Sequence, residues 1–334
     1  MKKNEVYCYP MKMQPVCKDY LWGGERLKRF NKKSEGSIIA ESWEVSCNEA
    51  GLTKVADGTY KGKTLKDVIE MSKKDFLGES FVETKKFPLL VKLIDANKDL
   101  SVQVHPTKMT ANEANGESCK SELWYIVDCD PNSYIYLGFN KDVSKEEFMH
   151  AIQEKTVCEL LNKIKVKKGE AYYIPAGTIH ALGGGILVAE IQQNSNTTFR
   201  VYDYDRKDFA GNFRELHVER AKDVLNFNKA TQNNHLKENF SSFECDYFKV
   251  KKETINKEKF ILNVEKTFQI VQFISGNGKI IYKKGETITQ KIGSTVYDTF
   301  TTNYKGDLGD TFFVPAKVEK YVIKGECGLL ITKT

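Results

Sequence analysis

Residues 169–206, GEAYYIPAGTIHALGGGILVAEIQQNSNTTFRVYDYDR, leave the chain fewest options. The stretch opens on Gly169, then five residues, Pro175, Ala176, Gly177, two residues and His180. Proline fixes φ and glycine admits φ > 0, so PAGT predicts a tight turn between two strands. Such a turn delivers His180 at the start of the outgoing strand with little positional freedom. Arg200 follows ten residues after Glu190, among Thr, Phe and Tyr residues that favour strand. The frame alone predicts a β-barrel corner, where a lone histidine is ordinarily structural. A second group of polar residues upstream changes that reading.

Residues 87–96, FPLLVKLIDA, are a near-continuous apolar run broken by Lys92. That lysine is either an edge-strand residue reaching for water or a charge with a task. Residues 100–106, LSVQVHP, alternate with period two. Leu100, Val102 and Val104 then face one way, and Ser101, Gln103 and His105 the other. KSELWYIVD at 120–128 repeats the pattern, with Lys120 and Glu122 on one face. Gln103, His105, Glu122 and His180 together offer two imidazoles, a carboxylate and an amide. Two imidazoles and a carboxylate with an open position suit catalytic zinc, and equally the facial triad of non-haem iron. Taken singly, Glu122 reads as well as a solvent-face carboxylate, Lys120 as a surface charge and Arg200 as a partner of Asp203 or Asp205.

Between residues 141 and 168 the pattern turns helical. Ser144 with Glu147, and Thr156 with Glu159, predict two capped short helices inserted into a β chain. Thr64 predicts a cap for a helix through TLKDVIEMSKKDFLG that stops at Gly78, and residues 213–227 read as another helix. His150, His217 and His235 carry no signal. The polar run KATQNNHLKEN, from residue 229, reads as a linker, and short strands with Gly-rich turns follow it. GDTFFVPAKVEKYV at 309–322 overlays GEAYYIPAGTIHAL at 169–182 without a gap, with Lys320 in place of His180. A duplicated β-unit that keeps its candidate ligand in one copy predicts one active and one supporting domain. The expected division is a catalytic domain at 1–228, with its helical insertion at about 141–168, and a degenerate β-domain at 229–334.

The 334 residues, 40% hydrophobic and 29% charged, are long enough for two globular domains. The 51 basic and 45 acidic residues are mixed along the chain, so no nucleic-acid footprint is expected. No apolar stretch has the length of a membrane span, and no signal peptide is read at the start. Eight scattered cysteines without CxxC argue for a reducing compartment, and the expected location is the cytoplasm.

The frame from Gly169 to His180 resembles the second motif of the cupin β-barrels, with Gly184 where Asn is usual. The fuller resemblance is to the type I mannose-6-phosphate isomerases of the short bacterial form. It rests on FPLLVKLIDA, LSVQVHP, KSELWYIVD, IPAGTIHAL and EIQQNSNTTFRVYDYDR, in order, over about two-thirds of the chain, with looser support from LWGG and ESWEVS. It implies a mainly β fold of two cupin-type jelly-roll barrels with a small helical insertion and short flanking helices. It also implies one zinc ion per chain, held by His105, Glu122 and His180, with Gln103 a further ligand in longer members. Arg200, Glu190 and Lys120 are implied as catalytic, and Lys92 and Ser101 as holding the substrate phosphate. Longer members often carry histidine where Cys119 stands.

The implied activity interconverts D-mannose 6-phosphate and D-fructose 6-phosphate by proton transfer through an enediolate. The base is Glu190, raised by burial, or Lys120. The expected partner is a phosphorylated hexose, on a monomer or homodimer, with no membrane. Two other readings stand beside it: an iron-dependent cupin dioxygenase on the same donors, and a non-catalytic two-barrel protein that binds a sugar or carboxylate.

Overall fold

The apolar run at 87–96 becomes Leu89–Ala96, an eight-residue strand buried along its whole length. Burial on both faces explains its lack of alternation. The computed structural model describes residues 6–208, 210–231, 235–236, 239–283 and 301–334. Within these the chain forms two compact units, one of residues 15–51 and 87–240, the other of residues 1–14, 52–86 and 241–334. The expected boundary near residue 229 is a single cut, whereas these units interleave along the chain.

The first unit holds two antiparallel sheets. The larger runs His235–Leu236, Ala171–Ile174, Glu122–Cys129, Ile186–Gln193, Leu89–Ala96, Glu41–Val45 and Val16–Lys18. The smaller runs Leu161–Lys165, Tyr134–Phe139, His180–Leu182, Val102–Val104 and Phe199–Tyr202. Trp22, Ile94, Trp124, Ile126, Ile174 and Val188 form one core with Leu100, Ile135, Leu137 and Leu182, so apolar faces of both sheets meet there. Val102, Val104, Phe139, Ala181, Phe199 and Val201 turn the other way. They pack with Phe148 and Ala151 of the helix Lys145–Gln153, and with Ala221 and Val224 of the helix Val218–Val224. Because side chains alternate along a strand, Gln103, His180 and Arg200 must then point between the sheets.

The second unit is built on a sheet in the order Ser242–Glu244, Lys249–Leu262, Lys320–Lys333, Gln269–Lys283, Thr311–Val314, Met11–Gln14 and Lys54–Val55. Thr301–Gly306 branches from Gln269–Lys283. The sequence repeat has a structural counterpart in each unit. Gly169 and Gly309 have φ of 90° and 87°. Each donates its N–H to a neighbouring strand, to Ile126 O and Phe273 O. Thr178 N donates to Pro175 O, and Val318 N to Pro315 O, closing the same turn twice.

The expected pair of closed barrels is not what the chain forms. Each large sheet is an open path with two edges, and among the described residues no ladder joins one sheet to another. With four α-helices and five 3-10 turns among those residues, the fold is mixed, with several sheets and no barrel. Pro106 and Pro175 explain part of this. Each follows a short strand at the same end of the first unit, and neither has an N–H to continue a ladder. Strands of three residues, Val102–Val104 and His180–Leu182, are also too short to wrap around a core.

The helical expectations need three corrections. Ser144 does cap its helix, accepting from Glu147 N at 3.1 Å. Thr156 does not: its φ of −104° and ψ of 7° carry the hydroxyl away from the next turn, and Val157–Leu160 is a 3-10 turn leading into a strand. The segment from Thr64 breaks at Ser72, which caps a second helix, Lys73–Leu77. Of residues 213–227 only Val218–Val224 is helical, because tertiary hydrogen bonds from Arg214 to Asp203 and from Arg200 to the Glu215 carbonyl hold the preceding residues out of the helix.

Gly177 has φ of 86°, and a Cβ there would lie 3.1 Å from Val224 O and 3.3 Å from Thr107 Cγ2. Gly177→Ala is expected to cost about 1–2 kcal/mol of stability through the positive φ alone. A thermal melt unchanged from the wild type would refute that account of the turn.

Candidate functional site

Short strands and their exits bring three residues of the sequence-derived set together. Glu122 starts Glu122–Cys129, His180 starts His180–Leu182, and His105 follows Val102–Val104. One donor atom from each lies within 4.8 Å of the others. His105 Nε2 is 3.4 Å from Glu122 Oε2, and His180 Nε2 is 3.4 Å from Oε1. His105 Nδ1 lies 2.9 Å from Thr197 O, and His180 Nδ1 lies 2.8 Å from Thr178 O. A carbonyl only accepts, so each Nδ1 carries the hydrogen and each Nε2 offers its lone pair to the cluster.

The electrostatics agree with the tautomers. Burial pulls the His105 pKa down to about 3, helped by the neighbouring Lys120 charge and resisted by Glu122. Burial lowers His180 as well. Glu122 lies well below the usual carboxylate range: burial opposes its charge, but Lys120 and the histidines outweigh burial. Lys120 Nζ sits 2.7 Å from Glu122 Oε2 and 3.0 Å from His105 Nε2. Beyond this ion pair, neither buried Glu122 oxygen accepts a hydrogen bond among the described residues. Two neutral imidazole nitrogens and an unsatisfied carboxylate fit a divalent cation of borderline softness. Gln103 places its amide 3.4 Å from His180 Nε2, and rotation of that amide by half a turn would offer a carbonyl oxygen instead.

The facing sheet contributes a second group through strand register. Trp43 pairs with Lys92, Lys92 with Glu190, Glu190 with Trp124 and Trp124 with Tyr172, in one row across five strands. The Lys92 ammonium lies 3.2 Å from Glu190 and 3.5 Å from Glu41. Burial would lower its pKa, but the two carboxylates overcome this and raise it. Glu190 is raised by burial against the pull of Lys92 and Lys120. Its Oε1 accepts from Trp124 Nε1 at 3.0 Å, while the buried Oε2 has no hydrogen-bond partner among the described residues. Trp124 also sets its ring edge against His180, with centroids 5.4 Å apart.

Lys92, Ser101, Gln103, Lys120, Glu190 and Arg200 line one polar cavity of about 270 Å³, together with Tyr20, Glu41, Trp124 and Arg214. Arg200 Nε donates to Ser101 Oγ at 3.2 Å, and Nη1 to Glu215 O at 2.8 Å. Burial lowers the Arg200 pKa, and Arg214 adds to this. Asp203 does not pair with Arg200; it accepts from Arg206 and Arg214. Leu100 lines the cavity beside Ser101, so the predicted alternation over 100–106 starts only at Val102, where the strand begins.

Sequence reasoning missed Glu41, Trp124, Asp203 and Arg214 as site residues. Glu41 and Trp124 stand within the quoted strand motifs, where alternation places them on the faces of Trp43 and Glu122. Arg214 was hidden by a helical reading of its segment. His217, read as carrying no signal, donates its N–H to Arg200 O at 2.7 Å and accepts from Arg200 N at Nδ1, 3.3 Å away.

Residues 11–159 match the family description "Phosphomannose isomerase type I, catalytic domain". The chain is 39% identical, over 292 residues, to mannose-6-phosphate isomerase ManA of Bacillus subtilis, covering 83% of this chain and 91% of that protein. A crystal structure of the mannose 6-phosphate isomerase from Bacillus subtilis superposes with a TM-score of 0.83 at 35% identity, covering 97% of this chain and 99% of that one. At 16% identity the fold is also shared with a mannose 6-phosphate isomerase bound with zinc and yttrium, with a TM-score of 0.71 and coverage of 97% and 99%.

The donor set makes the cation-free protein sensitive to acid. A histidine held near pKa 3 when folded, against about 6.5 unfolded, contributes stability that is complete above pH 6.5 and lost as pH falls toward 3. Denaturation midpoints of cation-free protein should therefore drop between pH 7 and 5, and His105→Asn should flatten the drop. Zinc should raise the melting temperature at pH 7, and Glu122→Gln should remove most of that shift. A wild-type melt indifferent to zinc would contradict the site.

Proposed function

The chain belongs to the type I mannose-6-phosphate isomerases, and on that premise we propose how its own residues carry the reaction. The protein is an isomerase that interconverts D-mannose 6-phosphate and D-fructose 6-phosphate with zinc as cofactor. His105, Glu122 and His180 would hold the zinc, and Gln103 would join them with its amide oxygen turned inward. Bound there, zinc supplies Lewis-acid polarisation of the sugar oxygens.

The observation that carries this reading is a buried cation-ready donor set whose neighbours Gln103 and Lys120 line the polar cavity together with a second buried carboxyl, Glu190. Moving a proton between C2 and C1 needs a base that can take it and return it, and a site that tolerates negative charge on the oxygens between. Glu190 is the proposed base: burial raises its pKa, Trp124 fixes Oε1, and Oε2, beside the Lys92 ammonium, takes the proton. Lys92 keeps that carboxylate ionised once the proton has left. Lys120, between Glu122 and His105, is the competing base. Arg200, oriented through Ser101 and the Glu215 carbonyl, faces the developing enediolate charge. Ser101 and Lys92 complete the substrate-binding set, and binding at the distal phosphate orients the reacting carbons.

Among the described residues no helix is long and apolar enough to cross a membrane. Among the described residues no disulfide joins the cysteines, in keeping with the cytoplasm as the proposed location.

The test is a coupled assay of fructose 6-phosphate formed from mannose 6-phosphate, before and after chelation, with zinc add-back. Loss and recovery are expected; no turnover by zinc-loaded, folded protein would sink the reading. Glu190→Gln should lower kcat by about 10²–10⁴ with zinc content retained. The acid limb of the wild-type kcat/KM profile should lie above the ordinary carboxylate range, rate rising with pH as Glu190 ionises. If Glu190→Gln keeps its rate and Lys120→Ala loses it, the base is Lys120.

A further inference from the structure

We infer that Arg214, held in place by Asp203, is the specificity-determining residue that reads the substrate's phosphate. The inference rests on the reading of the substrate as a sugar 6-phosphate. It starts from charge. A phosphate dianion needs positive charge that the protein has not already neutralised. Lys92 is flanked by Glu41 and Glu190, and Lys120 by Glu122, so both ammonium groups on the cavity are matched. At the guanidinium end the balance is different. Arg206 and Arg214 share one carboxylate, Asp203, and Arg200 has neutral partners, Ser101 Oγ and Glu215 O. The Glu215 carboxylate is 84% exposed, and Asp99 turns its own to Gly184 N and Tyr134 OH. Positive charge is therefore in excess where Arg200 and Arg214 line the cavity.

Geometry points the same way. Arg214 uses Nε and Nη2 on the two oxygens of Asp203, a two-point contact that fixes the guanidinium plane. Asp203 is 6% exposed and receives Arg206 as well, so its position is set from two sides. Arg214 Nη1 and Arg200 Nη2 have no partner among the described residues. Arg214 therefore brings a spare N–H, on a guanidinium fixed in place, to the cavity lining for a phosphate oxygen. Arg200 lies two strands from His180 by register, roughly 10 Å at ordinary strand spacing, a span that leaves room for the reacting carbons between it and the donor cluster. Asp203 acts as a positioning residue and touches no substrate.

Steady-state kinetics of Arg214→Ala should show KM for mannose 6-phosphate raised about tenfold or more with kcat within a few-fold, as expected when binding at a remote group is lost. The preference in kcat/KM for mannose 6-phosphate over unphosphorylated D-mannose should fall by the same factor. Arg214→Lys should recover part of it, and Asp203→Asn should raise KM in the same sense. Inorganic phosphate, followed by calorimetry, should bind the wild type and bind Arg214→Ala more weakly by a similar factor. That measurement needs no turnover, so it stands if the isomerase reading fails, and it is repeated on Arg214→Lys should the alanine variant not fold. The inference is overturned if the variants lose kcat alone, or if phosphate affinity and the preference over mannose are unchanged in them.

Discussion

Strand register is the constraint on which the site depends. On the smaller sheet Leu137, His180, Gln103 and Arg200 stand opposite one another in a single row. On the larger sheet Trp43, Lys92, Glu190, Trp124 and Tyr172 do the same. Side chains on a strand alternate with a period of two, so a slip of one residue in any ladder would send a whole set of polar groups into the apolar core. The apolar residues around these rows, Ile94, Ile126, Leu137, Leu182 and Val188, would be driven out by the same slip. Core packing and site assembly therefore select the same register.

Burying so much charge is costly unless each group finds a counterpart, and the cavity is arranged as a series of such pairs. Two indole N–H groups each hold a carboxylate: Trp43 donates to Glu41 at 2.6 Å and Trp124 to Glu190 at 3.0 Å. The Lys92 ammonium sits between those carboxylates. Glu122 is different, since its oxygens lack hydrogen bonds while Lys120 and the two histidines crowd it. A bound cation would give these oxygens the ligand contacts that hydrogen bonds do not supply. Stability given up at the cluster is thus recovered on loading, which couples the fold to its cofactor.

The second unit repeats the first in outline: the same glycine with positive φ, the same strand and the same proline turn. Where the first copy places His180 the second places Lys320, which pairs in a strand with Leu262. Backbone geometry was kept while the donor was lost, as expected when local turn chemistry and side-chain chemistry are set by different residues.

The sequence by itself determined the local pieces. PAGT dictates its turn because proline and glycine restrict or free φ irrespective of context, and the strand runs follow from period and β-branching. The donors His105, Glu122 and His180 were legible because each sits in a motif with a fixed strand phase. What the tertiary structure decided is what lies between pieces. Whether sheets close is settled by edge pairing and strand length, neither of which a periodicity reports, and here the sheets stay open. Arg214 and Asp203 escaped notice because a guanidinium's task depends on which carboxylate the fold brings beside it. The helical expectation over 213–227 failed for the same reason: propensity is worth tenths of a kcal/mol per residue, and hydrogen bonds to a buried aspartate outweigh it. The site's charge balance is likewise a property of distances between strands far apart in the chain, and only folding sets those.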